Sequence, residues 1–157
     1  MNVVAGQPAP DFTARASDGS TWSLREQLGH PVVLYFYPRD ESSGCTVQAE
    51  SIRDRWQDFE RAGAHVVGIS PDDVASHRTF RSGHGLPQEL LVDANHDVMR
   101  SYGAWGEKVK DGKTVEGVIR SSVVIDASGI VLAVFSPIVS DEQAQRTLAV
   151  LSGTVAR

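Results

Sequence analysis

A single cysteine, Cys45, follows the segment Tyr37-Pro38-Arg39-Asp40-Glu41-Ser42-Ser43-Gly44 and opens a stretch of helical periodicity. A thiol placed there can serve as a nucleophile, because the unpaired N–H groups and aligned dipoles of a helix N-terminus stabilise charge on sulfur. Cysteines in such positions, or beside cations, titrate at roughly 3.5–7.5 instead of about 8.5, which makes thiolate an appreciable form at neutral pH. Position alone supports an inert reading equally well, since free cysteine is among the most buried residue types and Cys45 would top an apolar stripe. Ser42 brings a hydroxyl that can accept and donate; taken alone it is a helix N-cap, with Ser43 its rival. Pro38 has no N–H and a fixed φ, so it can wall the loop against water, or simply end a strand. Arg120 carries a permanent charge that could hold a thiolate and donate to an oxygen acceptor. Its commoner fate would be a salt bridge to one of 20 acids.

Other chemistry finds little support. One cysteine makes neither an intrachain disulfide nor a Cys-x-x-Cys dithiol. The five histidines, at 30, 65, 77, 84 and 96, form no metal-binding spacing, so no metal and no cofactor are expected, and the histidines read as surface or core residues. A Cys-His hydrolase would need one of them beside Cys45, and no local signature supports that. The net charge of −5 and the lack of Lys/Arg clusters argue against nucleic acid and against anionic membranes. Met1 to Thr13 has no basic start and no apolar run, so the expected compartment is the cytoplasm.

The elements that must position these residues are read from periodicity. A length of 157 residues suits one core, and residues 1–157 are read as a single domain. Residues 11–24 read as a hairpin turning at Asp18-Gly19, and 31–37 as a buried central strand. Cys45, Ala49, Ile52, Trp56 and Phe59 predict one helix over 44–62, ended by Gly63. Strand 64–70 completes a parallel βαβ unit. A helix over 72–82, a strand over 90–92 and a helix over 95–102 follow. Strands 119–125 and 130–135 then form a hairpin, Arg120 lies at the start of the first, and an amphipathic helix spans 141–151. The sum is an α/β fold, a mixed sheet with helices on both faces.

Pro38, three residues, Ser42, two residues, Cys45 resembles the active-site signature of the peroxiredoxins. Tyr35-Phe36-Tyr37-Pro38 before the cysteine and Gly44-Cys45-Thr46-Val47-Gln48-Ala49-Glu50 around it are similar to the bacterioferritin comigratory protein subgroup, also called peroxiredoxin Q. Gly6 to Phe12, Gly68-Ile69-Ser70, Tyr102 to Lys108 and Gly117 to Ser122 extend the resemblance over nearly the whole chain. The resemblance implies a thioredoxin-like fold and reduction of hydrogen peroxide and organic hydroperoxides. Cys45 is then the nucleophile, with Ser42, Arg120 and Pro38 around it.

The chain departs from that pattern where the usual Thr and Pro are Ser42 and Ser43. It departs again at Glu50, where many members of the subgroup carry a resolving cysteine. With no second thiol, the sulfenic acid must be reduced by an external partner: thioredoxin, glutaredoxin or a low-molecular-weight thiol. The enzyme would work as a monomer or weak homodimer. The competing function is a redox-inactive binding or holdase-like protein on the same fold.

Overall fold

The computed structural model describes residues 2–155. Its centre is strand β3 (Val32–Phe36), five residues wholly buried, as a strand covered on both faces must be. Alternate side chains divide between two apolar layers. Val32, Leu34 and Phe36 join one, with Val98, Met99 and Tyr102; Val33 and Tyr35 join the other, with Cys45, Ala49 and Ile52.

β3 pairs in parallel with β4 (His65–Ser70), which pairs in parallel with β5 (Glu89–Val92). The N-terminal hairpin, β1 (Thr13–Ala16) and β2 (Thr21–Ser23), adds antiparallel to β5. On the other side β8 (Ser121–Ile125) runs antiparallel to β3, and β9 (Val131–Phe135) to β8. The seven-stranded order β2-β1-β5-β4-β3-β8-β9 is the mixed sheet expected, with its N-terminal hairpin in place. A short helix, α1 (Leu24–Gln27), follows that hairpin.

The helix expected over 44–62 is two helices. α2 (Ser43–Asp54) ends at Arg55, whose φ of −117° and ψ of 21° break the helical run, and α3 (Trp56–Arg61) restarts to bury Phe59. Neither proline nor glycine marks the break; the Arg55 N–H bonds to the Ile52 carbonyl in a tighter turn. α4 (Val74–His84) is capped by the Asp73 carboxylate and ends at Gly85, and α5 (Asp97–Tyr102) ends at Gly103; both glycines are left-handed. Residues 105–118, which carried no strand expectation, form a separate hairpin, β6 (Trp105–Lys110) and β7 (Lys113–Val118). α6 (Gln143–Val155) closes the chain and packs on α2 and β8. No helix among the described residues is long and apolar enough to cross a membrane.

Candidate active site

The register of the sheet brings the site together. Phe36, the last residue of β3, lies opposite Ser121, the first of β8. The loop leaving β3 through Tyr37 and Pro38 therefore emerges beside the residue entering β8, Arg120. Arg120 does not start the strand as expected; it sits in the two-residue link Ile119-Arg120 between β7 and β8, held where the Ile138 N–H donates to its carbonyl. Antiparallel pairing thus delivers a cation to the carboxyl end of a central strand, where sites in open α/β sheets form.

Cys45 is the third residue of α2 and almost fully buried, at 1% exposed. The first bond of the helix runs from the Thr46 N–H to the Ser42 carbonyl. Among the described residues no group accepts from the N–H of Ser43, Gly44 or Cys45, so the first turn keeps free donors around the sulfur. Arg120 Nη2 donates to Cys45 Sγ at 3.4 Å. Nη1 donates to Gln48 Oε1, one helical turn past Cys45. No carboxylate pairs with Arg120 among the described residues. Gly44 makes the approach possible, because a Cβ there would lie 3.1 Å from Arg120 Nη2.

Ser42 takes the N-cap position, with φ −64° and ψ 150°, yet its hydroxyl caps no N–H. Instead the hydroxyl donates to the Arg39 carbonyl at 3.1 Å, which commits its proton and leaves its lone pairs open to accept. No described hydrogen bond joins Ser42 to the sulfur. Pro38 is half-buried and shares with Arg120, Val118, Ile119 and Pro137 the wall of a cleft of about 470 Å³. The structure therefore brings Arg120 onto Cys45, with Pro38 beside Arg120 and Ser42 at the mouth of the helix.

Several supporting residues had no role in the sequence reading. Gln48 sits three residues after Cys45 on the same helical face, a spacing that could have singled it out. Its Nε2 donates in turn to Gln143 Oε1 of α6. Asp40, in the middle of the loop, accepts from Tyr37 Oη at 2.7 Å, Ser76 Oγ at 2.8 Å and His77 Nδ1 at 2.7 Å. The Asp40 N–H donates to Asp72 Oδ2 at 2.8 Å. His77 is fully buried, and its Nε2 faces the Leu91 carbonyl at 2.9 Å, so both ring nitrogens meet acceptors. Burial alone would lower the His77 pKa, but the hydrogen bond and charge of Asp40 outweigh it and hold the value above the ordinary histidine one. Asp40, Asp72 and His77 bring their ligand-type atoms within 4.8 Å, the one such group among the described residues. These atoms are engaged in the hydrogen bonds just described, which anchor the loop between Pro38 and Ser42 to α4.

Glu50, where a second thiol might stand, pairs instead with Arg53 at 3.2 Å and His84 at 3.3 Å.

Comparison with known proteins gives the family and the fold. Residues 5–134 match the AhpC/TSA family. A Mycobacterium tuberculosis peroxiredoxin is 47% identical over 85% of this chain and 86% of its own. The peroxiredoxin bcp of Coxiella burnetii is 38% identical over 90% of this chain and 93% of its own. In structure, the Xanthomonas campestris bacterioferritin comigratory protein, which has alkyl peroxide reduction activity, superposes with a TM-score of 0.89 at 30% identity. That match covers 96% of this chain and 99% of the other. The Mycobacterium tuberculosis peroxidoxin BcpB reaches a TM-score of 0.86 at 33% identity, covering 96% and 97%. The match over residues 5–134 and the relatives at 38% and 47% identity place the chain in the AhpC/TSA family.

Proposed function

We propose that the chain is a one-cysteine, thiol-dependent peroxidase in which Cys45 reduces hydrogen peroxide and organic hydroperoxides and an external thiol regenerates it. The observation that carries this reading is the 3.4 Å contact from Arg120 Nη2 to Cys45 Sγ at the open end of α2. The thiolate attacks the distal peroxide oxygen, the S–O bond forms as the O–O bond breaks, the peroxide's own proton passes to the departing alkoxide or hydroxide to give alcohol or water, and the sulfenate left on Cys45 takes a proton from solvent. Arg120 and the free N–H groups of the first helical turn stabilise the charge that moves from sulfur to oxygen. Ser42 accepts a hydrogen bond from the peroxide with the lone pairs its own bonding leaves free, and Pro38 keeps water from one side of the sulfur.

The product is Cys45 sulfenic acid. A thiol condenses with it, releasing water and leaving a mixed disulfide, and a second thiol frees Cys45 as the external pair becomes a disulfide. The single cysteine of the sequence supports this external route, whether the donor is thioredoxin, glutaredoxin or a small thiol. One continuous sheet from residue 13 to residue 135 supports a single domain. We take the chain to act in the cytoplasm as a monomer or weak homodimer; its net charge of −5 gives it no attraction to anionic membranes.

Peroxide consumption with a thiol donor tests the function. Cys45→Ser should abolish it, because serine oxygen stays protonated and no second thiol substitutes. A Cys45→Ser variant retaining most of the turnover would refute the assignment. Wild-type oxidation no faster than that of a free thiol would favour a redox-inactive binding protein.

A further inference from the structure

We propose that Gln143, at the start of the C-terminal helix, is a positioning residue for the peroxide step: its Oε1 fixes the Gln48 amide so that Gln48 holds Arg120 against the Cys45 sulfur. This rests on the peroxidase reading and extends it to α6.

Four side chains form the line. Gln143 Oε1 accepts from Gln48 Nε2, Gln48 Oε1 accepts from Arg120 Nη1, and Arg120 Nη2 donates to Cys45 Sγ. Gln48 and Gln143 are both fully buried. A carboxamide has a donor end and an acceptor end of nearly equal size, so packing alone does not choose which end meets its neighbour. Turned the wrong way, Gln48 would point N–H groups at a guanidinium that can only donate. That orientation would also leave Gln143 Oε1 facing an oxygen unless the Gln143 amide turned over with it.

Gln143 is a costly residue for its position. Its Nε2 is buried without a partner among the described residues, and an unpaired buried donor costs stability. A side chain chosen only for packing beneath α2 would be apolar. The polar end in use is the oxygen, and the oxygen points along the line to the active site.

The test is the rate of Cys45 oxidation by hydrogen peroxide, followed by stopped flow across pH, in wild type, Gln143→Met, Gln143→Glu and Arg120→Met, with Gln143→Met also made on the Arg120→Met background. Methionine fills the space without an acceptor. It removes one unpaired N–H at Gln143 and creates one at Gln48, so the melting temperature should stay near that of wild type. The oxidation rate near neutral pH should fall on the order of tenfold, as for the loss of an outer-shell partner. Its pH profile should move upward, and glutamate, which keeps an acceptor at the same place, should restore most of the rate. On the Arg120→Met background Gln143→Met should change nothing further, because the line it serves is already cut. A wild-type rate and profile in Gln143→Met would overturn the proposal, as would a full additional loss on the Arg120→Met background. Gln143→Leu, read in the same way, serves if the methionine variant does not fold. Wild-type behaviour of Arg120→Met alone would defeat the peroxidase role of Arg120, and this proposal with it.

Discussion

Arg120 has Cys45 and Gln48 as side-chain partners and no acid among the described residues, so its charge is not neutralised before it reaches the sulfur. Arg120→Met should slow peroxide oxidation by roughly 10²-fold, because the cation that stabilises the charge moving from sulfur to oxygen is lost. Stopped-flow oxidation rates check this, and a wild-type rate would make Arg120 structural only. Gly44→Ala offers a gentler version. The added Cβ, 3.1 Å from Arg120 Nη2, meets the far end of a flexible side chain. Stability should hold or rise by up to about 1 kcal/mol, because alanine suits a helix better than glycine. The guanidinium must shift, however, and the oxidation rate should fall several-fold; an unchanged rate would mean that the contact has slack. Cys45, Ser42 and Pro38 were legible because their chemistry sits in eight consecutive residues. Arg120 needed the resemblance of its flanks, and Gln143, distant in sequence and bland in type, left no signal.

At the scale of elements, the buried strands and the glycine-ended helices could be read from apolar runs and left-handed stops. Two features could not. The stripe Cys45, Ala49, Ile52, Trp56, Phe59 runs through Arg55 without a breaker, so periodicity does not see the division into α2 and α3. The β6-β7 hairpin is polar and half-exposed, and only Asp111-Gly112, both at positive φ, marked its turn. The loop anchor is also an element-scale property, since Asp40 and His77 come from different segments. The His77 pKa is raised on folding, so its stabilising contribution is full below the unfolded value of about 6.5 and is lost as pH climbs through the folded one. His77→Gln should therefore destabilise by about 3 kcal/mol in mild acid, the scale of breaking a buried ion pair. The gap to wild type should narrow as pH rises. Denaturant melts of both proteins across that range check the sign; a gap that widens with pH would mean that His77 is neutral in the fold.

For the whole molecule, the chain is a peroxidase fold with its single thiol buried and the place of a second one filled by Glu50, itself held by Arg53 and His84. Nothing within the chain can trap a sulfenic acid as a disulfide. A bond between the Cys45 residues of two chains would need their Cα atoms within about 7 Å, which a sulfur 1% exposed under Arg120 does not favour. Intact mass after treatment with excess peroxide, with and without a small thiol, tests this most directly. Without thiol the account predicts one turnover, then stepwise addition of two and three oxygen atoms on Cys45. With thiol it predicts sustained turnover and a mixed disulfide at Cys45. A dominant Cys45–Cys45 dimer, or repeated turnover with no thiol added, would contradict it.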